Sequence, residues 1–134
     1  MQSIIQKSSY DSVQVFWLNR ALLRERLLEC VKNLVTKKAE VQKVVLSGSV
    51  AEYRETASSD VDILIVVEES QERFIDRFIK FSDFFEGLEL GVDIFVYTQE
   101  EIERGDIPLA QTALKRGKIL FERYLSERAT KSER

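Results

Sequence analysis

The seven residues from Val61 to Val67, VDILIVV, constrain this chain more than any other stretch. The uninterrupted ILIVV run leaves no polar face, so a strand here must be covered on both sides, as in the centre of a sheet flanked by helices. Its beginning carries the opposite kind of residue. Asp60 and Asp62 stand two apart, which on a strand puts them on one face with Cβ atoms roughly 7 Å apart. Burying one unpaired carboxylate is unfavourable by several kcal/mol, and a second beside it adds repulsion. Something positive must offset that cost.

Two further strands flank this one in sequence. Lys43 to Ser47 (KVVLS) is short, β-branched and ends at Gly48, while Gly91 to Tyr97 (GVDIFVY) places Asp93 near the start of another apolar run. Val50 to Ser59 reads as a turn of helix followed by a polar loop. Upstream, Phe16, Leu23, Leu27, Val31 and Leu34 recur at spacings of three, four and seven, predicting one helix over about 11–38 with Asp11 and Gln14 as a capping pair. Its other face carries Arg20, Arg24, Arg26 and Lys32, expected to be solvated.

Ser70 to Gly87 predicts a second long helix with a core-facing stripe of Phe74, Phe78, Phe81, Phe85 and Leu88, stopped by Gly87. Thr98 and Glu101 form a capping-box pattern for a short helix ending near Gly105. Asp106 and Pro108 open another, Gly117 closes it, and Lys118 to Phe121 fits an edge strand. The tail from about residue 126 to 134 is expected to fray. With no repeat and no linker, residues 1–134 read as a single domain of α+β character, a small sheet with helices on it and a core at about 43–97.

Composition removes several kinds of chemistry. There is no histidine, which excludes Ser-His-Asp and Cys-His devices and the commonest general base. Cys30 is the only cysteine, so neither an internal disulfide nor a zinc cluster can form, and a reducing cytoplasm is expected. A net charge of -3 provides no broad cationic field for long nucleic acid. The chain begins without a secretory pattern and contains no apolar run of membrane-spanning length, so no membrane partner is expected.

Carboxylates, hydroxyls, lysines and a hard metal ion remain as tools. If the strands bearing Asp62 and Asp93 are neighbours, three acidic groups converge at one end of the sheet, and Mg²⁺ with oxygen ligands is the economical neutralising partner. Gly48-Ser49 follows a strand and opens a helical turn, where backbone N–H groups and a hydroxyl can hold phosphate oxygens.

Gly48-Ser49, ten residues, Asp60-Val61-Asp62 and a later strand with Asp93 closely resemble the minimal nucleotidyltransferase family, small relatives of the polymerase-β nucleotidyltransferase superfamily. The likeness covers Lys43 through Tyr97 and extends more loosely to GKILFERY. It implies the nucleotidyltransferase fold, a small mixed β-sheet flanked by helices with its site at one end. By the same resemblance Gly48 and Ser49 would hold the triphosphate, Asp60 and Asp62 would coordinate Mg²⁺, and Asp93 would complete a two-ion site and help deprotonate the attacking hydroxyl. Arg54 and Ser59 are the further nucleotide-binding candidates. One departure stands out: Glu52 lies where family members often carry a basic residue, in GSVAEYR.

The activity implied is Mg²⁺-dependent transfer of a nucleoside monophosphate, AMP from ATP, to a hydroxyl. Larger superfamily members carry an extra domain for the acceptor; the 134 residues are expected to leave no room for one, so the second substrate is expected from another molecule. The resemblance implies a HEPN-domain protein, AMPylated in a toxin–antitoxin arrangement, or a homo-oligomer. The alternatives are a non-catalytic module neutralising a partner by contact, motivated by Glu52, and a small-molecule adenylyltransferase acting on an antibiotic.

Overall fold

In the computed structural model, which describes residues 3–10, 13–47, 61–88 and 91–123, the chain begins with β1 (Ile5–Tyr10) and β2 (Val13–Leu18), followed by α1 (Arg20–Lys37). Then come β3 (Val41–Ser47), β4 (Val61–Val67) and α2 (Phe74–Ser82), which runs into a 3₁₀ turn at Asp83–Phe85. The last described elements are β5 (Val92–Thr98), α3 (Gln99–Glu103), α4 (Pro108–Arg116) and β6 (Lys118–Glu122).

Four strands form one sheet in the order β5-β4-β3-β6. β4 and β5 are parallel, whereas β3 is antiparallel to both β4 and β6, so the sheet is mixed. β4 is central and buried along its length except at Asp62, as its apolar run requires. Its alternate residues enter two cores. Ile63 and Ile65 pack with Leu23, Leu27, Val31 and Leu34 of α1 and Phe81 of α2, while Leu64 and Val66 pack with Val45 and with Ala110 and Ala113 of α4. The result is a mixed α/β architecture with helices on both faces of the sheet, as the apolar run anticipates.

The N-terminal expectation needs correction. The helix predicted over about 11–38 begins only at Arg20; the residues before it form the antiparallel β1–β2 hairpin, with Tyr10 opposite Val13 and Ile5 opposite Leu18. Val13, Val15 and Trp17 alternate along β2, a period of two that competes with the helical spacing of Phe16 and Leu23. Asn19, not Asp11, caps α1: its side-chain oxygen accepts from the Leu22 N–H at 3.0 Å. The Asn19 N–H also donates to the Ile4 carbonyl at 2.7 Å, fixing the corner between hairpin and helix. Residues 126–134 lie outside the described residues.

The second helix is shorter than Ser70–Gly87. α2 begins at Phe74, and Gly87, at φ 89°, supplies the left-handed residue after the 3₁₀ turn. Of the predicted stripe, Phe81 and Phe85 are buried, whereas Phe74 is exposed and its ring lies 5.2 Å from that of Tyr97. The buried cation Arg77 lies on α2. Its guanidinium donates to Glu101 Oε1 at 2.6 Å, to the Val96 carbonyl at 3.3 Å and to the Glu72 carbonyl at 3.1 Å. Glu101 completes the predicted capping box by accepting from the Thr98 N–H at 2.8 Å. One carboxylate thus satisfies a helix start and a buried guanidinium together.

Candidate active site

The site is built from strand starts and ends. β4 begins at Val61, whose N–H donates to the Gly91 carbonyl at 2.7 Å, so the starts of β4 and β5 are tied at the same level. From that point the parallel register pairs Val61 with Val92 and Asp62 with Asp93. On the other side of β4, Asp62 is the Cα partner of Ser47, the last residue of β3. Ser47, Asp62 and Asp93 therefore make one row across three neighbouring strands.

Alternation decides which face the row occupies. Two residues further into the sheet, Val45, Leu64 and Phe95 form the next row, and all three belong to the core beneath α4. Ser47, Asp62 and Asp93 thus stand on the α4 side, where that apolar surface ends. Asp62 is half-buried and Asp93 exposed. Adjacent strands lie about 4.8 Å apart, which places the two carboxylates within reach of one shared cation.

The remaining predicted residues, Gly48, Ser49, Arg54, Ser59 and Asp60, lie outside the described residues, as does Glu52. Among the described residues, no set of three acidic, histidine or cysteine side chains stands close enough to hold a metal ion. Of the three predicted carboxylates, Asp62 and Asp93 are described, and their chemistry fits a hard ion: oxygen donors from adjacent strands on one face. Sequence inspection passes over Ser47, because only the β3–β4 register brings it beside Asp62. No helix among the described residues is long and apolar enough to cross a membrane.

Residues 29–125 match the family model described as Polymerase beta, Nucleotidyltransferase. No curated protein matches the chain. Among solved structures, a candidate nucleotidyltransferase from Sulfolobus solfataricus is 26% identical, with a TM-score of 0.54 over 63% of this chain and 75% of that one. A toxin–antitoxin crystallised with AMP-PNP is 19% identical, with a TM-score of 0.58 over 79% of this chain and 78% of that one. The toxin–antitoxin MntA-HepT is 18% identical, with a TM-score of 0.52 over 81% and 78% of the two chains. At those last two identities the likeness is one of fold.

Proposed function

Since the chain belongs to the polymerase beta nucleotidyltransferase family, and is on that ground a nucleotidyltransferase, we propose that it transfers AMP from ATP to a hydroxyl on a HEPN-type partner protein, with Mg²⁺ as cofactor. The observation that carries this reading is the pairing of Asp62 with Asp93 on neighbouring strands. Two acids side by side are unfavourable for the fold and useful for holding a cation. The MntA-HepT fold likeness supports the choice of partner, and the AMP-PNP complex of another fold relative supports the choice of nucleotide.

In this proposal Gly48 and Ser49 hold the triphosphate, with Arg54 and Ser59 beside it, and Asp60, Asp62 and Asp93 hold the metal. The bound Mg²⁺ supplies charge neutralisation for the departing pyrophosphate and lowers the pKa of the acceptor hydroxyl. Asp93 takes the hydroxyl proton as the oxygen forms its bond to the α-phosphorus and the bond to the pyrophosphate oxygen breaks. Its exposure suits it to meet an acceptor arriving from another molecule. No histidine is required, because positioning and electrostatics carry phosphoryl-type transfer. We place the reaction in the cytoplasm, where the lone thiol of Cys30 stays free.

The test is transfer of label from α-labelled ATP to a HEPN-domain partner, with wild type and Asp62→Asn in parallel. Label on the partner with wild type and none with the variant is expected. Undiminished transfer by Asp62→Asn would sink the assignment, and inhibition of the partner without any label would favour contact alone.

A further inference from the structure

A groove of about 570 Å³ runs between α1 and the edge strand β6. Leu23 and Leu27 of α1 and Leu46 of β3 give it an apolar floor, and all three are buried. Leu28 and Ile119 line it too, yet they are 41% and 53% exposed. Large apolar side chains left in water around one trough form a patch, and such patches mark interaction surfaces.

The charge of the groove is as one-sided as its floor. Among the described residues that line it, Arg20, Arg24 and Lys118 carry the only charges, and the rest are apolar. The chain as a whole has a net charge of -3, so the groove reverses the sign of the molecule locally. Arg20 and Lys118 each hold a further interaction within the chain. Arg24 is exposed and makes no ion pair with a described residue, so recognition turns on it.

Length and place narrow the occupant. Arg20, Arg24 and Leu28 stand at i, i+4 and i+8 of α1, a row about 12 Å long at 1.5 Å per residue. A helix that presents apolar residues at i, i+3, i+4 and i+7 spans about 10 Å, which fits that row. The groove also reaches the acid end of the sheet, since Leu46 precedes Ser47, the Cα partner of Asp62.

Resting on the proposed function, we propose that this groove seats the protein substrate through an amphipathic helix with an apolar stripe and acidic flanks. The stripe covers Leu28, Ile119 and the leucine floor, and a flanking carboxylate pairs with Arg24. An acidic partner is repelled by the rest of this acidic chain and admitted here, so charge selects the docking face. Seating beside Leu46 brings the substrate to the end of the sheet that carries Asp62 and Asp93.

The experiment is fluorescence anisotropy of a labelled helical peptide, with leucine at i, i+3, i+4 and i+7 and glutamate on its flanks, titrated with the full chain without nucleotide or metal. A peptide with the same stripe and lysine flanks runs in parallel. The proteins are wild type, Arg24→Glu, Leu28→Glu and Ile79→Glu, the last an apolar position 60% exposed on α2 and outside the groove. The acidic peptide is expected to bind, the lysine peptide and the two groove variants to be weaker by about tenfold, and Ile79→Glu to match wild type. Tm should be unchanged, and Arg24→Glu alone decides if Leu28→Glu lowers it. No saturable binding, equal binding of the two peptides, or equal loss in Ile79→Glu would overturn the inference. A wild-type dimer in sedimentation that Leu28→Glu disperses would overturn it too, by giving the groove to a second copy. With neither nucleotide nor metal present, failure here leaves the nucleotidyltransferase reading standing. Peptide binding by a chain that binds no AMP-PNP would overturn the substrate role and leave contact alone.

Discussion

Asp62 and Asp93 are Cα partners across the only parallel pair of strands in the described sheet. A hairpin cannot make that pairing, because parallel neighbours need a crossover between them. The segment that crosses contains α2, whose Phe81 anchors it in the core on the face opposite the acids. The larger core lies on the α1–α2 face, and the face beneath α4 presents the carboxylates at the end where its own smaller core stops.

The first prediction concerns Asp93. Because it is exposed, Asp93→Asn should leave stability within about 0.5 kcal/mol of wild type while abolishing metal-dependent nucleotide binding. Denaturant titration and a nucleotide-binding assay on the same preparation check both halves. A large loss of stability would mean that Asp93 belongs to the framework.

Arg77 and Glu101 behave in the opposite way. Glu101→Gln leaves the buried guanidinium without its charged partner, and a loss of about 1.5–3 kcal/mol is expected from one charge-assisted hydrogen bond. Urea unfolding measures it, and metal binding should be unchanged, since this pair lies at the Thr98 end of β5 and not at the Asp93 end.

The same pair sets a pH dependence. Burial alone would raise the Glu101 carboxyl, yet hydrogen bonds from the Thr98 backbone and Arg77 hold it below its ordinary value. A depressed folded value means that the unfolded chain takes up the proton first. The stabilisation is therefore complete above the ordinary glutamate value of about 4.3 and fades as pH falls through the lower folded value. The stability gap between wild type and Glu101→Gln should close on acidification below about pH 4 and stay constant from pH 6 to 8.

Gly117 offers a packing test. A Cβ there would stand 2.5 Å from the Ala113 carbonyl oxygen and from Val45 Cγ1, and 2.7 Å from the Leu46 carbonyl oxygen. Its backbone φ of -76° is open to any residue, so the constraint is space alone. Gly117→Ala should cost about 1–3 kcal/mol by overpacking, read as a lowered urea midpoint, because it pushes β6 and α4 away from β3.

These particulars show what a linear reading can reach. VDILIVV declares a strand covered on both faces because every position after Asp62 is apolar, and the Thr98–Glu101 capping box is legible because its two partners are three residues apart. The β1–β2 hairpin is not, since Val13, Val15 and Trp17 carry a period of two in the same window where Phe16 and Leu23 carry a helical one. Only the stop at Asn19 resolves the conflict. Ser47 stays hidden for a different reason: nothing local marks it, and its meaning comes from the register that sets it opposite Asp62.

The most direct test of the carboxylate site is calorimetric titration of AMP-PNP into the protein with and without Mg²⁺, for wild type and Asp62→Asn. Binding that requires Mg²⁺ and disappears in the variant is expected, with both proteins equally folded by circular dichroism. Binding that is indifferent to Mg²⁺, or that survives Asp62→Asn unchanged, would contradict it.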